Sequence, residues 1–376
     1  MSAALDGSGP ALFPLSPDLP EPALWRLLHA VAPATVETAG GTHRFVPRDP
    51  AVPVGGVPVA ADTAVLVATA GSTGRPKIVE LSARALRFSA AATLARIEAA
   101  AGDPWLCSLP TSHIAGIQVI VRALLAGSEL IVHPRFDVAA IARAATDAPH
   151  LAVVPTQLRR LVEAGVDLSR FRSLLLGGAP PPVDLLETAR TAGARLFTTY
   201  GSSETSGGCV YDGVPLTGVR ADVGQDGRIR LAGPQLFERY HGDPARTAAA
   251  RDGDWFVTED LGVIESGRLR VLGRTDDVIN TGGEKVNATE VAARLSCHPL
   301  VREVVVVGRP DPEWGERVTA VVVPAGPVPQ LDDLRAWVRA TLPAHAAPRE
   351  LELVAAIPLL PSGKPDRRRL QRGELP

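Results

Sequence analysis

Between positions 64 and 201, short apolar runs ending in glycine or proline turns alternate with longer segments of helical period, and this alternation constrains the fold more than any other feature. Strands are expected over 64–68, 106–109, 129–133, 151–154, 173–176 and 195–199, with helices over 82–100, 114–125, 138–146, 156–164 and 181–192. Strands joined through helices run in one direction, so the sheet is expected to be largely parallel, with ligands collecting at the carboxyl ends of its strands. Beyond Gly201 the pattern changes to short strands over 228–231, 255–258 and 268–271, which suits an antiparallel or barrel-like part. After Gly273 a helix over 287–296, strands over 303–307 and 317–323, a helix over 331–341 and a strand over 351–355 suggest a compact α+β unit. The chain has 376 residues, more than the roughly 250–300 at which single cores stop growing. The expected fold is therefore α/β, with a large domain over 1–273, a small α+β domain over 274–376, and a boundary near 273–277. The first 60 residues, rich in Pro and Gly, are expected to be loosely packed around one helix near 21–31.

The charge balance, 39 Lys and Arg against 41 Asp and Glu, supplies no global field to hold a polyanion, so nucleic acid is not an expected partner. No run approaches the ~18 apolar residues of a membrane span, and positions 1–20 lack a basic segment followed by an apolar core, so a cytoplasmic protein is expected. Cys107, Cys209 and Cys297 are far apart and odd in number, which fits reduced, small buried side chains and neither a disulfide framework nor a metal site. Only three of the 39 basic residues are lysines, Lys77, Lys285 and Lys364, and all three sit beside glycines. In an arginine-supplied surface, a compact ammonium suggests contact with phosphate or with a reacting carboxylate.

Thr69-Ala70-Gly71-Ser72-Thr73-Gly74-Arg75-Pro76-Lys77 follows an expected strand and can wrap phosphate oxygens with backbone N–H groups, hydroxyls and one ammonium. It lacks the Walker spacing, and Pro76 blocks a helix beginning at the lysine. Two further strand ends, Gly177-Gly178-Ala179-Pro180 and Tyr200-Gly201-Ser202-Ser203-Glu204-Thr205, would open onto the same sheet edge. Small residues let a flat purine lie against backbone, Tyr200 offers a ring to stack, and Glu204 offers an oxygen ligand for Mg2+. Thr258-Glu259-Asp260 and Gly273-Arg274 place a carboxylate and a guanidinium where ribose hydroxyls could be held. Pro361-Ser362-Gly363-Lys364-Pro365-Asp366 puts the third lysine on a polar turn.

In this order the motifs resemble those of the adenylate-forming superfamily of acyl-CoA synthetases, luciferases and nonribosomal adenylation domains, and they span Thr69 to Arg367. Within it, His113-Ile114-Ala115-Gly116 with Arg122, the short length, and the stretch from Gly208 to Leu216 are most similar to the o-succinylbenzoate–CoA ligases of menaquinone synthesis. The resemblance implies a ligase using ATP, Mg2+ and coenzyme A: an acyl adenylate and pyrophosphate form first, then a thioester and AMP. Ser72, Thr73, Gly74 and Lys77 would grip the β- and γ-phosphates, Gly178 and Ala179 would line the adenine with Tyr200, and Ser203 would touch the α-phosphate. Thr69, Gly177, Gly201 and Ser202 would complete the nucleotide site, Glu204 would hold Mg2+, and Asp260 and Arg274 would take the ribose. Lys364 would bridge the acyl carboxylate and α-phosphate; a mobile small domain would turn about Asp276, bringing Gly282, Gly283 and Lys285 to the coenzyme A side.

For the acid, Arg122 lies in an otherwise apolar segment and must be paired, either with a second carboxylate on the substrate or in a structural ion pair. His113 either gates the acyl pocket, beside Gly201, or polarises the reacting group as a catalytic residue, or is a satisfied core histidine. The region before the phosphate loop is shorter than the superfamily's usual one, so the substrate is small or a second subunit completes the wall, which leaves a homo-oligomer open. Thr111-Ser112 replaces a frequent aromatic residue before the histidine, and Glu259 replaces the usual glycine before Asp260. The alternatives are another small or aryl carboxylic acid, or the loading of a carrier protein.

Overall fold

The computed structural model describes residues 1–69, 77–147, 149–360 and 365–374. Its largest sheet has seven strands, in the order Val214–Pro215, Gly207–Tyr211, Leu196–Ser202, Ser173–Leu176, His150–Val153, Trp105–Cys107, Leu130–Val132. The five from Leu196–Ser202 to Leu130–Val132 run parallel, and the first two close the sheet antiparallel. Alternate residues enter cores on opposite faces, as the two-residue strand period requires. Leu106, Leu151, Leu174 and Leu176 pack with Ile141, Leu158 and Leu161 on one face, while Trp105, Cys107, Ala152 and Leu175 join Ile117 and Val121 on the other.

Local signals set the helices between these strands. Pro155 opens the helix Pro155–Glu163, where its missing N–H costs nothing. The Asp137 carboxylate accepts from Ala140 N at 2.7 Å and starts Val138–Ala144, while Gly127, in a left-handed conformation, ends Ile114–Ala126.

The first expected strand differs from its reading. Thr63–Thr69 does not join the parallel sheet; it pairs antiparallel with Lys77–Ser82, which in turn pairs with Arg239–Tyr240, giving a separate three-stranded sheet. Lys77–Ser82 runs straight into the helix Ala83–Ile97, which Ser82 caps by accepting from Ala85 N at 3.2 Å. The phosphate motif thus lies between two antiparallel strands rather than between a strand and a helix.

After Gly201 the pairing is antiparallel throughout a five-stranded sheet: Arg220–Val223, Arg228–Ala232, Trp255–Glu265 and Arg251–Asp252 in order, with Arg268–Arg274 against the long Trp255–Glu265. The last sheet begins at Val278–Thr281 and Glu284–Asn287, joined by Gly282-Gly283 with φ of 60° and 85°. Positive φ at both central residues is the requirement of a type I′ hairpin. Gly315–Pro324, Val301–Asp311 and Glu350–Leu353 complete it, and the helices Ala288–Ser296 and Leu331–Arg339 cover it through Val291, Leu295, Leu334 and Val338. The N-terminal region carries the expected helix, Glu21–Val31, together with Ser2–Asp6 and a hairpin of Thr35–Thr38 with Gly41–Arg44. Cys107 and Cys209 are buried, whereas Cys297 is exposed.

Candidate active site

Leu196–Ser202 delivers Tyr200 near its carboxyl end, and the Tyr200 hydroxyl donates to Asp260 Oδ2 at 2.8 Å. Asp260 stands opposite Arg274 in the register of Trp255–Glu265 and Arg268–Arg274. Arg274 donates from Nη1 to Asp260 Oδ1 at 3.1 Å, from Nε to Asp276 Oδ1 at 2.7 Å and from Nη2 to Asp276 Oδ2 at 3.3 Å. Four sequence-predicted residues, Tyr200, Asp260, Arg274 and Asp276, therefore form one continuous network. Burial, and then the Asp260 charge, push the Tyr200 phenol well above its ordinary pKa. Burial works against the Arg274 guanidinium, but its bond to Asp276 and the surrounding carboxylates raise its pKa overall.

A second cluster forms around Glu204, which is 8% exposed on the turn Ser203–Thr205 directly after Leu196–Ser202. The Tyr240 hydroxyl donates to Glu204 Oε1 at 2.9 Å, and Lys77 Nζ lies 5.5 Å from the centre of the Tyr240 ring. Lys77 and the expected metal carboxylate thus meet the same aromatic ring, the lysine over the ring and the carboxylate at its hydroxyl. Burial, followed by the Glu204 charge, raises the Tyr240 pKa, so the phenol stays protonated and donating. Thr69 faces Lys77 across the hairpin, and its Oγ1 donates to the Lys77 carbonyl at 3.4 Å. Ser72, Thr73, Gly74 and Lys364 lie outside the described residues.

Beside Tyr200, Gly177 approaches the neighbouring strand so closely that a Cβ would overlap Thr199 Oγ1, and Gly178 has a φ of 88°. Gly177 and Ala179 are half-buried and Gly178 is exposed, leaving backbone at the surface of this strand end. Gly201 is constrained more tightly: a Cβ would overlap the Gly207 carbonyl oxygen and stand 2.8 Å from Gly208 Cα. Ser202 N donates to Thr205 Oγ1 at 2.8 Å, holding the turn that carries Ser203 and Glu204.

His113 is half-buried at the start of Ile114–Ala126. A Cβ on Gly207 would meet Gln118 Cγ at 3.2 Å and Ile114 Cγ1 at 3.8 Å, so this helix start lies against the turn between Gly201 and Gly208. Arg122 is nine residues further along the same helix, about 13 Å of axial rise from His113. Its guanidinium is 5.5 Å from the centre of the Trp105 ring, the residue is 4% exposed, and Nε has no hydrogen-bond partner. No carboxylate pairs with it among the described residues, so the structural ion pair has no partner there. Burial lowers the Arg122 pKa, partly offset by Tyr211. Lys285, expected on the coenzyme A side, is exposed beside the Gly282-Gly283 turn, and Gly282 packs on the Trp314 ring.

Sequence reasoning missed Tyr240 and what holds it. Glu80 is fully buried; its Oε2 accepts from Arg239 Nε at 3.0 Å and from Thr63 Oγ1 at 3.4 Å, and its Oε1 is 2.8 Å from His241 Nδ1. A carboxylate within Ile78-Val79-Glu80-Leu81 was a visible signal, because a charge in an apolar run must find partners. Tyr240 itself left no local signal.

Family comparison places this geometry among known proteins. Residues 28–241 match the AMP-binding enzyme family, and residues 290–364 match the AMP-binding enzyme C-terminal domain. A probable 2-succinylbenzoate–CoA ligase of Mycobacterium tuberculosis is 43% identical over 328 residues, covering 83% of this chain and 84% of that protein. A feruloyl-CoA synthase of an Amycolatopsis species is 33% identical over 334 residues, covering 81% of this chain and 68% of that protein. Among solved structures, the o-succinylbenzoate CoA synthetase of Bacillus subtilis in complex with the acyl-adenylate intermediate OSB-AMP is 29% identical, with a TM-score of 0.75 over 82% of this chain and 69% of that one. The amide bond synthetase of Marinactinospora thermotolerans is 29% identical, with a TM-score of 0.77 over 88% of this chain and 72% of that one.

Proposed function

The chain belongs to the AMP-binding enzymes, and from that premise we propose that it is an ATP-dependent carboxylate–CoA ligase whose acid is 2-succinylbenzoate. The observation that carries the reading is the convergence of three sheets on the end of Leu196–Ser202 and the turn after it: Asp260 and Arg274 of the five-stranded sheet meet Tyr200, and Tyr240 of the three-stranded sheet, with Lys77 near its ring, meets Glu204.

In the first half-reaction a carboxylate oxygen bonds to the α-phosphorus of ATP while the α–β bridging oxygen leaves with pyrophosphate. Anion approaches anion, so the barrier is chiefly electrostatic, and fixed cations and donors are what lower it. Lys77 supplies an ammonium at the end of the phosphate motif, and Lys364, on its resemblance to the superfamily's terminal lysine, supplies the one that meets carboxylate and α-phosphate together. Asp260 and Arg274 fit a ribose, and the backbone of Gly178 and Ala179 at this strand end fits the adenine. Among the described residues no group of three or more His, Cys, Asp or Glu could hold a metal by itself. Glu204 would hold Mg2+ as a protein carboxylate ligand. Bound there, Mg2+ would help neutralise the charge of the phosphates.

In the second half-reaction the coenzyme A sulfur bonds to the acyl carbon and AMP departs. Lys364 has no use in that step, so residues 274–376 would turn about Asp276 and bring Gly282, Gly283 and Lys285 to the site. His113, at the helix start beside Gly201, is assigned to the acyl pocket. Arg122, buried without a carboxylate partner, is assigned to the second carboxylate of the acid. No helix among the described residues is long and apolar enough to cross a membrane, and with ATP and coenzyme A as substrates we place the enzyme in the cytoplasm.

The test is an incubation with ATP, Mg2+, coenzyme A and 2-succinylbenzoate. AMP, pyrophosphate and the 2-succinylbenzoyl thioester are expected in equal amounts. Formation of ADP would overturn the reaction class, and turnover only with monocarboxylic aryl acids would overturn the choice of acid.

A further inference from the structure

We propose that Tyr240 is the positioning residue for the metal-binding carboxylate of Glu204, and that Glu80, through Arg239 and His241, fixes Tyr240. The inference rests on the ligase reading above and deepens it. The bond from Tyr240 is the only side-chain hydrogen bond of Glu204 among the described residues. It holds Oε1 at 2.9 Å and leaves Oε2 for a cation. A carboxylate on a three-residue turn has rotamer freedom, and a single donor from a buried ring removes much of it.

Arg239–Tyr240 is a two-residue strand, too short to define its own geometry, and neighbouring side chains on a strand point to opposite faces. Arg239 and His241 both turn toward the Glu80 face, where the fully buried carboxylate binds them at 3.0 and 2.8 Å. Tyr240 is driven to the other face, the one shared by Val79, its register partner, and by Lys77. There its ring packs on Phe237 at 4.8 Å, with Lys77 on the near side and Glu204 at the hydroxyl. The Phe237 N–H also donates to the Glu204 carbonyl at 2.8 Å, tying the two segments together. The charge cluster therefore sets the angle of one ring, and that ring spans the space between the phosphate lysine and the metal carboxylate.

Tyr240→Phe removes the hydroxyl and keeps the ring. Mn2+ would be titrated into the protein with ATP, and bound metal read by electron paramagnetic resonance, a measurement that needs no acid and no turnover. Metal affinity is expected to fall roughly tenfold or more, the range seen when groups that orient metal ligands are lost. The Mg2+ concentration needed for half-maximal ATP–pyrophosphate exchange should rise in parallel, and raising Mg2+ should recover the exchange. Arg239→Met should move both readouts in the same direction by disordering the strand from its other face. Unchanged Mn2+ affinity in Tyr240→Phe with its thermal midpoint preserved would overturn the proposal. So would an exchange defect that excess Mg2+ does not recover. If the acid is misassigned, wild-type turnover of 2-succinylbenzoate fails while the Mn2+–ATP comparison still decides the role of Tyr240.

Discussion

Replacing Arg122 with methionine separates a structural charge from a recognition charge, because the two roles predict opposite signs for stability. The side chain is 4% exposed, its Nε lacks a partner, and its guanidinium rests on the Trp105 ring rather than on a carboxylate. Methionine keeps most of the apolar stem and removes the buried charge. Exchanging buried ionic groups for apolar ones of similar volume is neutral or stabilising by roughly 1–4 kcal/mol, so the free Arg122→Met protein should be at least as stable as the parent. Removing one side of a buried charge pair in a complex costs about 2–5 kcal/mol, which corresponds to a loss of at least about 30-fold in kcat/KM for a dicarboxylic acid. An aryl acid with one carboxylate should lose little. Urea unfolding midpoints and kcat/KM values for a matched mono- and dicarboxylic pair decide the matter. Destabilisation by about 2 kcal/mol or more with unchanged discrimination between the acids would refute the assignment.

Gly201→Ala places a methyl group into the Gly207 carbonyl with backbone on all sides, so a thermal midpoint lowered by an overpacking cost of roughly 1–3 kcal/mol and a marked loss of ATP–pyrophosphate exchange are expected. Asp260→Asn weakens the bonds to Tyr200 and Arg274 together, and isothermal titration should show ATP or AMP binding weakened while the unfolding midpoint moves by less than in Gly201→Ala. Burial alone would raise the Glu80 pKa, but the His241 and Arg239 bonds hold it below its ordinary 4.5. A depressed native pKa gives stability that is present above 4.5 and is lost on acidification. Urea midpoints of Glu80→Gln should therefore fall below those of the parent at pH 7 and converge with them toward pH 3, and a gap that does not narrow would refute this sign.

The parallel sheet was legible because each strand carries its own apolar run and its neighbours follow through helices with local start and stop signals, such as Pro155, Asp137 and Gly127. Lys77–Ser82 was not legible as a strand. Six residues merge into a capped helix without a turn, and five of them are buried, so no alternation shows. The hairpin Val278–Thr281 with Glu284–Asn287 carried its signal in Gly282-Gly283, two residues able to take positive φ, but the polar strands on either side hid it.

The candidate site divides along the same physical line. Residues on strand ends and tight turns, Tyr200, Gly201, Glu204, Asp260 and Arg274, could be named because backbone geometry and a chemical requirement coincide in a few adjacent positions. The basic partners of Glu80 lie about 160 positions away in sequence, Arg239 on a strand of two residues and His241 just after it, and two residues have no period to read. What pairs them is the cost of leaving a buried carboxylate alone, a force that names the need for a partner but not its address. A single charge inside an apolar run thus marks a long-range contact whose other end only the fold supplies. Glu80 found that end in Arg239 and His241; Arg122, the other such charge, has no carboxylate among the described residues, and this difference argues that its partner arrives with the substrate.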